Sequence, residues 1–240
     1  MKIVILGYGK MGKEVESLAK EKGHQIVAKI DQAQDWQQQS EPINTADIAI
    51  DFSIPESAKD NMMQCLKHRL PLVIGTTGWY DDLEEIKKEC ELKKGAILWA
   101  SNFSIGMNIF FKMNSLLAEL TSKFPEYQAH IHEIHHTQKL DAPSGTAIAI
   151  ANGILEKNKN LKSWELNENS NTRSTEILPI TYERIAQVPG THIVSYQSSI
   201  DDITMKHEAK NRKGFAAGAL LAAEWLVGKT GFFSMEDVIG

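Results

Sequence analysis

A chain of 240 residues with 42% hydrophobic and 24% charged content has the composition of a globular protein of one or two domains, long enough to bury a substantial core. Its net charge of −5 argues against nucleic acid as a partner, because a phosphate backbone demands a basic face. The start, "MKIVILGYGKMG", is too short in apolar residues for a secretory signal, and "GFAAGALLAAEWLVG" is too short to span a bilayer and is broken by Glu224. The two cysteines, Cys65 and Cys90, have no CxxC spacing and are expected to be reduced, so a cytoplasmic protein without membrane association is expected.

"KIVIL" (2–6) is a short β-branched run of the kind buried in parallel sheets. "GYGKMG" follows, then a helical pattern that stops at Gly23, then a second strand, "HQIVAKID", ending on Asp31. Gly7, Gly9 and Gly12 fit G-x-G-x-x-G, and Asp31 lies at about the expected twenty-residue offset. Gly7 permits the tight turn, Gly9 lets the backbone approach a pyrophosphate, and Gly12 lets helix and strand pack closely. The helix N-terminus offers unpaired N–H groups and a positive dipole end to phosphates. The plainer alternative for a lone glycine motif is a turn in an α/β unit that binds nothing.

Strand and helix patterns keep alternating through "DIAIDFS", "PESAKDNMMQCLKHR", "LPLVIGTTG", "YDDLEEIKKECELKKG" and "AILWASNFS". This order predicts a Rossmann-type, doubly wound parallel sheet. Three strands end in small polar or turn residues, at Phe52-Ser53, at Gly75-Thr76-Thr77 and at Ser101-Asn102-Phe103. Ligands of such sheets bind outside the carboxyl ends of the strands, so these tips are expected to line one cleft. Ordinary turn chemistry is the competing explanation for each residue taken singly.

After Gly106 the pattern changes. "MNIFFKMNSLLAELTSKF" reads as one long amphipathic helix, and "EYQAHIHEIHH" alternates like a strand. The runs "STEILPITYERIAQV", "THIVSYQSS" and "DDITMKHEA" are further strands separated by turns, which predicts a smaller α+β domain with a mostly antiparallel sheet. "KNKNLKSWELNENSNTRS" reads as a polar loop, and the helix near the end, "KGFAAGALLAAEWLVG", is apolar nearly all round and therefore buried. The change of pattern after Gly106 marks an expected domain boundary.

The stretch "EIHHTQKLDAPSGTAIAIA" places His135, His136 and Lys139 just before a turn and an alanine-rich helix. Strand alternation puts His135 on the same face as Glu133 and Ile131. Lys139 can curl back toward His135, and Asp141 or Ser144 can cap the helix that begins near Gly145. That leaves the N–H groups of Gly145 and Thr146 for an anion. A proton donor that titrates near neutral pH, a fixed cation and an anion-binding helix end suit an anionic substrate that is protonated as it is reduced.

This stretch resembles the signature of the 4-hydroxy-tetrahydrodipicolinate reductase (dihydrodipicolinate reductase) family. The resemblance extends over "GYGKMG", "DFSIPE", "GTTG", "NFSIG" and "HEAKNRKGFAAGALLAAEWL", essentially the whole chain. It implies NAD(P)H-dependent reduction of a dicarboxylate in the diaminopimelate route to lysine, in a homotetramer built through the sheet of the second domain. It also implies that the C-terminal helix returns to the first domain, so the expected domains are 1–105 with 213–240, and 106–212, with hinges near 104–106 and 212–214. It implies His135 as general acid, Lys139 as second proton donor, and His136, Gly145 and Thr146 as carboxylate ligands. Cofactor contacts are implied at Gly7, Tyr8, Gly9, Lys10, Met11, Gly12, Asp31, Gly75, Thr76, Thr77, Ala100, Ser101, Asn102 and Phe103. Many members carry one more residue in the glycine loop. An acidic residue at 31 accepts ribose hydroxyls and repels a 2′-phosphate, so a lean toward NADH over NADPH is expected, with Lys29 and Lys10 partly compensating.

Two rivals remain at this level. Four of the eight histidines fall between 130 and 136, which raises a metal site. Alternation sends His130 and His132 to the face opposite His135, however, and the spacing matches no H-E-x-x-H motif, so no metal is expected. An NAD-sensing regulator is the other rival, but a sensor needs no proton donor.

Overall fold

In the computed structural model of this chain, strand β1 (Lys2–Leu6) sends Ile3 and Ile5 into one apolar core and Val4 and Leu6 into another. The structure describes residues 1–139, 141–167, 175–211 and 213–240. Its chain divides into two units, Met1–Ile105 with Arg212–Gly240, and Gly106–Asn211.

In the first unit β1 is followed by α1 (Lys10–Glu21), β2 (Gln25–Ile30), the short helices α2 (Asp35–Gln38) and α3 (Ser40–Asn44), and β3 (Ile48–Asp51). Then come α4 (Pro55–His68), β4 (Leu72–Ile74), a 3-10 turn at Tyr80–Asp82, α5 (Leu83–Leu92) and β5 (Ala96–Trp99). The order in the sheet is β2-β1-β3-β4-β5, closed by a sixth strand near the end of the chain, and every pairing is parallel. Alternate residues of each strand serve opposite faces, as a doubly covered sheet requires. Leu72 and Ile74 face the core that holds Met62, Cys65 and Ile86 of α4 and α5, while Val73 faces the core of Val15 and Ala19 of α1. Each such side chain, fully buried, contributes roughly 1.5–3 kcal/mol.

The second unit opens with α6 (Ile105–Thr121), whose first residue still belongs to the first unit, then β6 (Gln128–His135), α7 (Gly145–Lys157), β7 (Ser163–Leu166), β8 (Ile177–Arg184), β9 (Thr191–Gln197) and β10 (Asp202–Glu208). The sheet order is β10-β9-β6-β8-β7. Strand β6 runs antiparallel to β9 and parallel to β8, and β7 runs parallel to β8. The sheet is therefore mixed and not mostly antiparallel. The physical reason is α7: a crossover helix after β6 returns the chain in the same direction, into β7, and β6 and β7 both pair parallel with β8. Ala129 and Ile131 of β6 pack with Met107 and Phe110 of α6 and with Ala147, Ile150 and Ile154 of α7.

Three expectations change. The polar loop at 157–174 contains β7; residues 168–174 of it lie outside those described, as does residue 212 in the expected second hinge. The chain continues past α8 (Lys213–Leu226) into β11 (Gly231–Ser234) and α9 (Met235–Ile239), and β11 completes the first sheet beside β5. Helix α5 stops at Leu92, ahead of Gly95.

Candidate active site

The carboxyl ends of β1, β3, β4 and β5 are neighbours in the first sheet, so the residues that follow them share one edge. The strand order reverses between β2-β1 and β3-β4-β5, and the glycine loop after β1 sits at that switch point. Gly7 has φ +81°, and a Cβ there would run into the Phe52-Ser53 backbone; at Gly12 a Cβ would strike the Gly7 carbonyl. Gly9 caps α1 with no side-chain hydrogen bond, a Cβ on it would meet open space, and the first turn, Lys10 and Met11 included, holds no acidic residue. An uncapped helix N-terminus beside open space fits the phosphates of a dinucleotide.

Asp31 is exposed at the end of β2, and its Oδ1 accepts the Tyr8 N–H at 2.6 Å. Glu16 on α1 accepts from the Tyr8 hydroxyl, from Lys29 Nζ at 2.8 Å and from Lys20 at 2.8 Å. The bonds to Lys20, Lys29 and Tyr8 hold the Glu16 carboxyl down to about 2. Lys29 also lies 3.9 Å over the Tyr8 ring. Lys29, two residues before Asp31 on β2, is thus held by Glu16 and Tyr8.

On the β4 tip, Thr76 is buried and donates to Asp51 Oδ1 at 3.0 Å, while Thr77 is exposed. Asp51 has no exposure and accepts also from the Ser53 N–H at 2.7 Å and Asn61 Nδ2 at 3.0 Å; burial pushes its carboxyl above the usual range. Gly75 is required by Phe52, whose ring fills the space a Cβ would take. At the β5 tip Ala100 is half-buried, Ser101 is exposed, and Asn102 Oδ1 accepts the Ser104 N–H at 2.9 Å. The Phe103 side chain belongs to the core, edge-on to Phe52, and its carbonyl packs where Gly218 lacks a Cβ.

In the second unit, Glu133 and His135 extend the helix-facing side of β6 beyond Ala129 and Ile131. Glu133 is fully buried. Both of its oxygens accept the Ser144 N–H at 3.2 Å, and Oε1 lies 3.4 Å from Arg184 Nη2. His135 Nδ1 lies 3.5 Å from Glu133 Oε2, and the His135 ring sits edge-on to His192 at 5.1 Å. Burial lowers the His135 pKa, Glu133 opposes that, and Lys139 and Arg184 add to it, leaving the group below its ordinary value. His192, opposite Glu133 in β9, is pushed down to about 3, first by burial and then by His135, His207 and Lys139. It is a neutral imidazole.

Ser144 caps α7, accepting the Ala147 N–H at 3.1 Å. Gly145 is exposed with open space where a Cβ would be, and Thr146 is half-buried beside it. Lys139 Nζ meets both oxygens of Asp141 at 2.8 Å, so Asp141 is the partner of Lys139 and not the helix cap. His136 is half-buried, and its Nδ1 is enclosed without a hydrogen-bond partner. His130 and His132 lie on the other face, both within 3.0 Å of Thr181 Oγ1.

A cluster that could hold a metal ion does converge, formed by Glu133, His135 and His192, whose ligand atoms lie within 4.8 Å of one another. It takes only His135 from the histidine run that raised the question. Its carboxylate is already committed to the Ser144 N–H and Arg184, and Arg184 and Lys139 make the surroundings cationic, a donor set poorly matched to a divalent ion.

Residues 1–103 match the family model described as dihydrodipicolinate reductase, N-terminus, and residues 106–239 match dihydrodipicolinate reductase, C-terminus. The chain belongs to the dihydrodipicolinate reductase family. It is similar to a 4-hydroxy-tetrahydrodipicolinate reductase of Christiangramia forsetii, 47% identical over 239 residues, covering 100% of this chain and 98% of the relative. A Rickettsia bellii protein of the same name is 37% identical, covering 95% and 90%. Among solved structures, a dipicolinate-bound dihydrodipicolinate reductase from Paenisporosarcina sp. TG-14 superposes with a TM-score of 0.78 at 26% identity, covering 98% of this chain and 97% of that one. This reductase is therefore an oxidoreductase with a dinucleotide-binding fold, and among its described residues no helix is long and apolar enough to cross a membrane.

Sequence reasoning named Glu133 only as sharing a face with His135 and passed over Arg184 and His192 of the reductase's polar cluster. Glu133 carried a signal, a carboxylate on the apolar face of an alternating strand. Arg184 and His192 carried none, because only the register of β8 and β9 against β6 brings them beside His135 and Glu133.

Proposed function

We propose that this reductase converts 4-hydroxy-tetrahydrodipicolinate to tetrahydrodipicolinate with NAD(P)H, with His135 as general acid and Lys139 as second proton donor. The observation that carries this reading is the meeting of a buried imidazole, an ammonium group and an open helix N-terminus at one end of β6. The first unit holds the dinucleotide, through the α1 N-terminus, Asp31 and the tips after β4 and β5. The reduced nicotinamide, when bound, supplies the hydride.

The second unit holds a dicarboxylate. Gly145 and Thr146 offer N–H groups and a hydroxyl to one carboxylate, and His136 and Lys139 offer cationic or donor groups. Loss of the 4-hydroxyl with a neighbouring ring proton, as water, leaves a conjugated imine; hydride adds to that imine, and His135 delivers its proton to the carbanion-like position so created. The relative with dipicolinate bound supports the dicarboxylate class. NADH is the favoured cofactor in this reading, because Asp31 is exposed beside the glycine loop and Lys29 is held by Glu16. A cytoplasmic homotetramer completes it: Cys65 and Cys90 are free and buried, and the edge strand β10 carries exposed Ile203, with Ile200 just ahead of it, an apolar edge suited to association.

The test is oxidation of NADH and of NADPH by freshly generated substrate, with and without a chelator, alongside the mass of the assembly in solution. Substrate-dependent, chelator-resistant oxidation is expected. Its absence with both cofactors would overturn the reading.

A further inference from the structure

We propose that Glu133 is a positioning residue for the reduction: it sets the orientation and proton affinity of His135 and ties that ring to the first turn of α7. This rests on the reading of His135 as the acid.

A carboxylate with no exposure, as Glu133 has, is costly unless its oxygens are satisfied. Here one carboxylate serves three elements. It accepts the Ser144 N–H at the start of α7, it pairs with Arg184 of β8, and it faces His135 on its own strand. Arg184 in turn donates to the carbonyl of Asp141 at 2.8 Å and to that of Lys139 at 3.3 Å. The acid, the carboxylate-binding helix end and the loop that carries Lys139 therefore all refer to Glu133. Substrate atoms held at one are in register with the others.

His135 Nδ1 is enclosed without a hydrogen-bond partner, and Glu133 Oε2, 3.5 Å away, is the acceptor it faces. A proton on Nδ1 turned to that oxygen makes Nε2 the nitrogen whose proton is transferred. Nε2 lies toward Gly190, where a Cβ would come within 3.2 Å of it, so only glycine leaves that nitrogen uncovered from this side.

The charges facing His135 are Glu133 on β6, Lys139 and Asp141 on the loop and Arg184 on β8, with neutral His192 on β9 and His207 beyond it on β10. Glu133 is the first of these to favour the protonated ring. Its removal lowers the proton affinity of His135, and an acid that works protonated is then lost at lower pH. The alkaline fall of kcat/KM is accordingly expected to move to lower pH in Glu133→Gln, with kcat down by about ten- to a hundredfold, less than the cost of removing the acid. A role in folding alone would not move that limb.

The experiment is the pH profile of kcat and kcat/KM in the wild type, Glu133→Gln, Glu133→Asp and His135→Gln. In Glu133→Asp, which keeps the charge at shorter reach, the limb should lie between those of the wild type and Glu133→Gln. An unmoved limb in folded Glu133→Gln overturns the proposal, while the reading of His135 stands if His135→Gln loses turnover. If Glu133→Gln does not fold, a wild-type limb and wild-type kcat in Glu133→Asp overturn it equally. Full turnover in His135→Gln removes the underlying reading, and the proposal with it.

Discussion

Ser144 Oγ accepts the Ala147 N–H at 3.1 Å and so closes the first turn of α7 directly behind Gly145 and Thr146. The cap leaves the N–H groups ahead of it for a ligand. Ser144→Ala should cost about 1 kcal/mol of stability, within the roughly 0.5–2 kcal/mol range of such caps, and should raise KM for the dicarboxylate more than it lowers kcat. Denaturant midpoints and steady-state kinetics check both; an unchanged midpoint would show that the cap is dispensable.

Thr146→Val keeps the shape of the side chain and removes its hydroxyl. It should weaken pyridine-2,6-dicarboxylate by about 1–3 kcal/mol, the cost of leaving a buried hydrogen-bond partner unsatisfied. Calorimetric titration reads this directly, and equal affinity in the two proteins would place the carboxylate elsewhere.

Cofactor preference turns on Asp31 and on what holds Lys29. With Lys29 bonded to Glu16, the exposed carboxylate of Asp31 stands beside the glycine loop without that counter-charge. The ratio of kcat/KM for NADH to that for NADPH should exceed one. Asp31→Ser should move it toward NADPH on the order of tenfold, as for loss of one like-charge contact, and Glu16→Gln should move it the same way by releasing Lys29. A native preference for NADPH, or a ratio indifferent to both substitutions, counts against this selector.

His192 links folding to pH. Its pKa falls from 6.5 to about 3 in the fold, so below 6.5 the unfolded chain binds a proton that the native state refuses. Stability from this group is therefore full above about 6.5 and declines as pH falls toward 3, by on the order of a few kcal/mol. In His192→Gln the acid decline should be shallower, measured as unfolding free energy against pH. Parallel curves for the two proteins would show that His192 does not titrate in this way.

The glycine loop and the strand tips were legible because their signals are local: a turn needing φ > 0 at Gly7, a close approach at Gly12, and an acid one strand later. The strand ending at His135 was legible from its alternation. Strand β7 was not, since Ser163–Leu166 is four mostly exposed residues at a sheet edge that pair only with β8. Strand β11 was hidden for a different reason, because Gly231–Ser234 becomes a strand only by pairing with β5, far away in sequence. The parallel pairing of β6 with β8 was implicit in the strand-helix-strand order around α7, but the hairpin-like turns after β8 drew attention away from it. At the site, the lysine read as curling toward His135 acts on that ring while also pairing with Asp141, two residues on, and Arg184 came from a strand whose register no local pattern reveals.

The central claim, that His135 protonates the substrate as it is reduced, is tested most directly by steady-state kinetics of His135→Gln with freshly generated substrate and saturating NADH. The account predicts a fall in kcat of about 10²–10⁴-fold with little rise in KM, since the proton matters in the transition state more than in binding. Lys139→Ala, which removes charge as well as a proton, should damage both constants. Wild-type kcat in folded His135→Gln would contradict the account.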